Sequence, residues 1–244
     1  MSRRRISAAP VAAEVLEPRE LLTATVASHL VILSSPTSGT ACGAGHNLGP
    51  QYKFALESAS GKVVTSDNSS TVTLSVVKGP WGYDEFGPCS FPSMPVQQGE
   101  LQFSQVTFYV AGKYTVKATD SSGLSVTLPP VTIVAGPAEQ LAMTAPSTAE
   151  AGRPLGTVTV SVEDKYGNVV TGDNSSVVSL GLYANGNTTT PIATYQATVV
   201  DGVATFKGIV APAAENYRLS ATVSSLPPSF GGVGWSQQAG IEVA

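Results

Sequence analysis

The stretch GKVVTSDNSS begins at Gly61, and a near copy, GNVVTGDNSS, begins at Gly167. The match runs on: GKVVTSDNSSTVTLSV aligns with GNVVTGDNSSVVSLGL without a gap. Within it, Val72, Leu74 and Val76 correspond to Val178, Leu180 and Leu182. They alternate with Thr71, Thr73 and Ser75 in one copy and with Val177, Ser179 and Gly181 in the other. Alternation with period two predicts a strand with one packed face and one wet face. The DNSS segments read as turns, because Asp and Asn side chains bond their own backbone and tolerate left-handed geometry.

The likeness extends in both directions. Upstream, Tyr52, Phe54 and Leu56 share one face, as do Val158, Val160 and Val162. Downstream, Gly99, Phe103, Tyr114, Ala118 and Thr119 match Gly202, Phe206, Tyr217, Ala221 and Thr222. Each copy then holds an opening strand (LVIL or QLAM), a long second strand, a short VVT strand and a fourth strand. A hairpin into a Tyr-bearing strand and a closing strand follow. About seven strands in about 110 residues is the spacing of a β-sandwich. Tyr114 and Tyr217 start the penultimate strand, where a tyrosine corner would tie each hydroxyl to a nearby loop; a ring packed at the core rim is the plainer reading. The fold class expected is all-β, with two tandem sandwiches, residues 24–135 and 136–244, after a largely disordered leader, residues 1–23. The link falls in VAGPAEQ, residues 134–140, and GIEVA at the end reads as a final strand.

Composition agrees. The chain has 244 residues, of which 42% are hydrophobic and only 12% charged, with 28 Ser and 24 Thr on the polar side. Thr, Val and Tyr suit strands, and the 24 Gly and 17 Pro suit turns. The formal net charge is −4, with no basic stripe of the kind a phosphate backbone requires, which argues against nucleic acid as partner. No apolar run approaches the roughly 20 residues of a transmembrane helix.

The phrase AGRPLGTVTVSVEDKYGNVVTGDNSS, residues 151–176, resembles bacterial immunoglobulin-like repeats of adhesin and invasin type. The resemblance rests on AG-x-P, an alternating strand and D-x-YGN-VVT. It covers most of 136–244 and, more weakly, 24–135, where ESASGK stands in place of EDKYGN. It implies two immunoglobulin-like sandwiches. Residues 16–22, LEPRELL after the basic MSRRR, resemble the LEPR-XLL motif near the start of many large bacterial extracellular proteins. That second resemblance implies export or surface display.

Together these readings predict a non-catalytic extracellular or cell-surface module pair, serving as spacer or display scaffold. The alternative is a glycan- or protein-binding module. Its site would be the insertion GPWGYDEFGPCSFPS, residues 79–93, which the second copy lacks. Trp81, Tyr83, Phe86 and Phe91 offer aromatic faces to a surface glycan or another surface protein, and Asp84 and Glu85 could orient hydroxyls. Against this stands a packing role, with the aromatics tucked under their own loop. A hydrolase with an unrecognised site is the third reading, but no GxSxG or HExxH is present and no catalytic residue or cofactor is assigned. The two cysteines, Cys42 and Cys89, lie in Gly/Pro-rich loops and are expected to form one disulfide; two buried thiols are the alternative. Asp164, Asn168, Asp173 and Asn174 form an oxygen-rich group for which turn chemistry outweighs calcium, so no metal is expected.

Overall fold

In a computed structural model, the described residues are 25–37, 41–80, 89–184, 186–187, 189–223 and 236–244. The leader with LEPRELL, and Trp81, Tyr83, Asp84, Glu85 and Phe86, lie outside them.

The first half contains β1 (His29–Ser34), β2 (Ala41–Gly43), β3 (Lys53–Glu57), β4 (Thr71–Lys78), β5 (Cys89–Ser90), β6 (Met94–Pro95), β7 (Glu100–Gln102), β8 (Thr107–Phe108), β9 (Gly112–Asp120), β10 (Ser125–Thr127) and β11 (Val131–Val134). The second contains β12 (Gln140–Thr144), β13 (Thr148–Ala149), β14 (Val158–Glu163), β15 (Val177–Ala184), β16 (Ala193–Thr198), β17 (Val203–Phe206), β18 (Asn216–Val223) and β19 (Ser236–Val243). A 3-10 turn at Gly49–Gln51 is the one helical element among the described residues.

Strand order repeats between the halves. One sheet runs β1-β3-β7, and its counterpart runs β12-β14-β17. The facing sheets run β2-β11-β9-β4-β6 and β13-β19-β18-β15-β16, with β10 added beside β9. Two sheets with one apolar face each must cover those faces, and stacking them does so. The chain is therefore two β-sandwiches in tandem. Their cores are separate. One gathers Phe54, Leu56, Val72, Phe103, Tyr114 and Ile133, and the other gathers Val160, Leu180, Leu182, Phe206, Leu219 and Ile241. The alternation read from the sequence decides who is inside: Val72 and Leu74 are buried while Thr71, Thr73 and Ser75 are exposed. Burying each such side chain contributes about 1.5–3 kcal/mol.

The repeated phrase has one structural job, done twice. Asp67 Oδ1 accepts the N–H groups of Ser69 and Ser70 at 3.0 Å each, and Asp173 Oδ1 accepts those of Ser175 and Ser176 at 3.1 and 3.0 Å. The neighbouring Asn then reaches across to a hairpin turn. Asn68 Oδ1 accepts Gln98 N–H at 2.8 Å, and Asn174 Oδ1 accepts Asp201 N–H at 2.9 Å. Both donors have positive φ, 52° and 48°. Both are followed by a glycine whose N–H bonds the Asp carbonyl: Gly99 to Asp67 at 2.9 Å, Gly202 to Asp173 at 3.0 Å. DNSS thus pins the turn that carries the chain from one sheet to the other, between β6 and β7 or between β16 and β17, to the start of the long strand β4 or β15.

Both tyrosine corners form. The Tyr114 hydroxyl donates to Val110 O at 2.9 Å, and the Tyr217 hydroxyl to Ala213 O at 3.2 Å, each four residues back.

Two expectations need correction, and one feature was not foreseen. The VVT segments are not strands. Each makes an isolated bridge, Glu57 with Val63 and Glu163 with Val169. Pairing stops there because the carbonyls of Val64 and Val170 turn to accept Asp67 and Asp173 N–H, both at 2.9 Å. The parallel pairings of β2 with β11 and of β13 with β19 were not anticipated. Finally, Cys42 is a free, half-buried thiol, so the expected Cys42–Cys89 disulfide is not formed. The reason lies in the backbone. Cys89 pairs with Phe108 on one side of β8, while Gly45 N–H bonds Phe108 O at 2.8 Å from the other. A strand therefore stands between the two segments. Cys42 itself lies three residues before Gly45, in β2, whose partner is β11, whereas the partner of Cys89 is β8.

Candidate functional site

Of the aromatic-loop residues singled out in the sequence, Phe91 is described, and it packs inward. Its ring lies 5.3 Å from Phe108 at 70°, and Phe108 lies 4.5 Å from Tyr114. Phe91 is thus the outer member of an aromatic run into the first core. An open depression of about 420 Å³ lies between β1, β3 and β7 and the β6 edge, lined by Leu33, Lys53, Met94, Glu100 and neighbours. Among the described residues, no catalytic pairing converges on it. His29 bonds the adjacent Ser28 hydroxyl at 2.9 Å, and His46 lies in an exposed loop. No group of three or more His, Cys, Asp or Glu among the described residues is placed to hold a metal.

The most developed polar site is where the two sandwiches meet. After β14 the chain makes a closed turn, Asp164-Lys165-Tyr166-Gly167-Asn168. Asp164 N–H donates to Asn168 O at 2.9 Å and Gly167 N–H to Asp164 O at 3.0 Å, with Gly167 at φ +83°. The Asp164 carboxylate takes four donors. Oδ1 accepts Tyr166 N–H at 2.8 Å and Asn168 N–H at 2.9 Å. Oδ2 accepts Asn168 Nδ2 at 2.9 Å and, from the link, Gly136 N–H at 2.8 Å. Asn168 is held rigid by this and turns the rest of its amide to the first sandwich. Its Nδ2 donates to Tyr109 O at 2.7 Å, and its Oδ1 accepts Ala111 N–H at 2.8 Å. Asp164 is 1% exposed and Asn168 8%. Buried polar groups at this density are stable only when each finds a partner.

Tyr166 adds a packed face. Its ring lies 5.1 Å from Tyr109, and Lys165 Nζ sits 4.9 Å from the Tyr166 ring centre. It also rests on Gly45, at φ +78°. A Cβ there would overlap the Tyr166 hydroxyl and come within 2.6 Å of its ring. Only glycine supplies both that conformation and that space.

Asp164 and Asn168 were visible in the sequence as an oxygen-rich turn, and turn chemistry is what they perform. Asp173 and Asn174 belong instead to the DNSS turn. Gly45, Tyr109 and Ala111 were missed. The available signal was a difference between the copies: D-x-YGN occurs where the first copy has SASGK.

The turn carboxylates predict an acid response. Burial alone would raise the pKa of Asp67, Asp164 and Asp173, yet the hydrogen bonds they accept outweigh it and hold all three below the usual carboxylate value. A depressed folded-state pKa contributes stability that is present above the unfolded value, about 3.9, and is lost as pH falls through the folded value. Melting temperature is expected to hold from pH 7 to about pH 5 and to fall below about pH 4. An unchanged melting temperature at pH 2.5 would show that these bonds contribute nothing.

No helix among the described residues is long and apolar enough to cross a membrane. No protein-family model and no curated protein matches this chain. Solved structures show likeness of fold at low identity. The Yersinia pseudotuberculosis adhesin InvE is 13% identical over 88% of this chain and 58% of that one, with a TM-score of 0.36. The fibronectin(III)-like modules of Clostridium thermocellum CbhA are 15% identical over 88% and 92%, with a TM-score of 0.24. A superoxide reductase of Ignicoccus hospitalis is 18% identical over 44% and 82%, with a TM-score of 0.32.

Proposed function

We propose that the chain is a non-catalytic spacer or display scaffold of a secreted or surface-attached protein, built from two folding units, residues 24–135 and 136–244. One observation carries this reading. Asn168 bonds Tyr109 O and Ala111 N–H across the joint while its amide is anchored in its own turn on Asp164 Oδ2. A flexible tether would need none of these bonds. Fixing the angle between two sandwiches is what a spacer requires, because reach and orientation are then set by the fold rather than by linker entropy.

Adhesion through the aromatic loop is the competing reading, and a glycan array separates the two. The spacer reading expects no glycan to be retained by the 244-residue chain. Retention that disappears in Trp81→Ala would replace it with a binding module.

A further inference from the structure

The end of the second sandwich away from the joint repeats the surface that receives Asn168 and Tyr166 on the first. In the first sandwich, Ala44 N–H bonds Val134 O at 2.8 Å and Gly45 N–H bonds Phe108 O at 2.8 Å. In the second, Ala151 N–H bonds Ala244 O at 2.9 Å and Gly152 N–H bonds Ala211 O at 2.8 Å. The two glycines share a left-handed conformation, φ +78° and +71°. The tyrosine corners fix the adjacent loop in the same register, through Val110 O and Ala213 O. Gly152 therefore stands for Gly45, Pro212 for Tyr109 and Ala214 for Ala111.

The atoms that Asn168 uses survive the exchange. It needs a carbonyl from position 109 and an N–H from position 111. Pro212 keeps its carbonyl and Ala214 its N–H. What differs is occupancy. Gly45 is covered by Tyr166, whereas no described residue lies within 4 Å of a Cβ built on Gly152. Residues 44–45 and 109–111 are half-buried, while 151–152 and 212–214 are exposed. The Ala214 N–H has no hydrogen-bond partner among the described residues.

We propose that this face of the second sandwich is a receptor for a further sandwich bearing an Asp-x-Tyr-Gly-Asn turn, seated as the second is seated on the first. The occupant is a copy of the 136–244 sandwich, joined through a link like Ala135–Glu139. Ala244 sits where Val134 sits, so the second residue of such a link falls where Gly136 gives its N–H to Asp164.

The first sandwich cannot act as such an occupant. Its equivalent turn keeps the backbone bonds, with Ser58 N–H to Lys62 O and Gly61 N–H to Ser58 O both at 2.9 Å. However, Ser58, Ser60 and Lys62 replace Asp164, Tyr166 and Asn168. The first sandwich thus offers a receptor alone, and the second has both plug and receptor. That gives stacking a direction, which goes beyond a spacer role.

The test extends the full chain, residues 1–244, directly with a second copy of residues 135–244. Residues 1–244 are segmentally labelled, and amide hydrogen exchange is read at Ala214, with Ala111 in the existing joint as the standard. Ala214 is expected to exchange about tenfold or more slower than in the 244-residue chain. Asn168→Ala in the appended copy alone should return it to the fast rate, with both flanking folds intact. Slow Ala111 with fast Ala214 would overturn the second receptor and leave the existing joint standing. So would slow Ala214 that ignores Asn168→Ala. Fast exchange at both positions would overturn the receptor and the fixed joint together.

Discussion

Gly202→Ala is expected to destabilise the second sandwich by about 2–5 kcal/mol, and Gly99→Ala the first by a similar amount. Two independent costs add at each site. Both glycines are left-handed, with φ +80° and +78°, which costs a side-chain-bearing residue about 1–2 kcal/mol. A Cβ at Gly202 would also lie 2.6 Å from Val169 Cγ1 and 2.7 Å from Val170 O, and one at Gly99 2.7 Å from Val63 Cγ1 and 2.6 Å from Val64 O. Backbone oxygen cannot step aside as a flexible side chain can, so overpacking adds about 1–3 kcal/mol. Gly208→Ala separates the terms: its φ is +71° but no described residue lies within 4 Å of a Cβ built there, so only the conformational cost of about 1–2 kcal/mol applies. Calorimetry on the three variants checks this. Equal losses in all three would show that the crossing of hairpin and DNSS turn is not tight.

The second large effect belongs to the joint. Asn168→Ala removes three hydrogen bonds and leaves Tyr109 O and Ala111 N–H facing a gap. Each unpaired, part-buried group costs about 1–3 kcal/mol, less where water enters. The expected loss is about 2–3 kcal/mol, and it is a loss of coupling rather than of either core. Neither hydrophobic cluster includes Asn168. Denaturant unfolding should therefore separate into two transitions in the variant, with the sandwiches unfolding closer together in the parent. Gly45→Val should act in the same direction from the other side, by displacing Tyr166. A variant that loses stability in both sandwiches without uncoupling them would place Asn168 in the folds instead.

The fold was legible because it rests on local periodicity. Val72 and Leu74, or Val178 and Leu180, declare their face by alternation, and a second copy confirms each assignment. The tyrosine corners were legible for the same reason, since Tyr114 and Tyr217 recur at matched positions. The joint was not. It is made of backbone atoms of Tyr109 and Ala111 meeting a side chain 57 or 59 residues away in sequence. Backbone N–H and C=O are present at nearly every position and leave no mark in composition. The cysteines misled for a related reason: loop composition is compatible with a disulfide, but the strands that carry them pair with different partners, β11 for Cys42 and β8 for Cys89, and Cys42 is a free thiol. The parallel strands β2 and β13 are two or three residues long, too short to show a period.

Residual dipolar couplings on the full chain bear most directly on whether the two sandwiches hold one fixed angle. A single alignment tensor should fit the amides of β1–β11 and of β12–β19 together. Two tensors of clearly different magnitude in the parent protein would mean that the sandwiches move independently, and that the Asp164–Asn168 turn does not lock them.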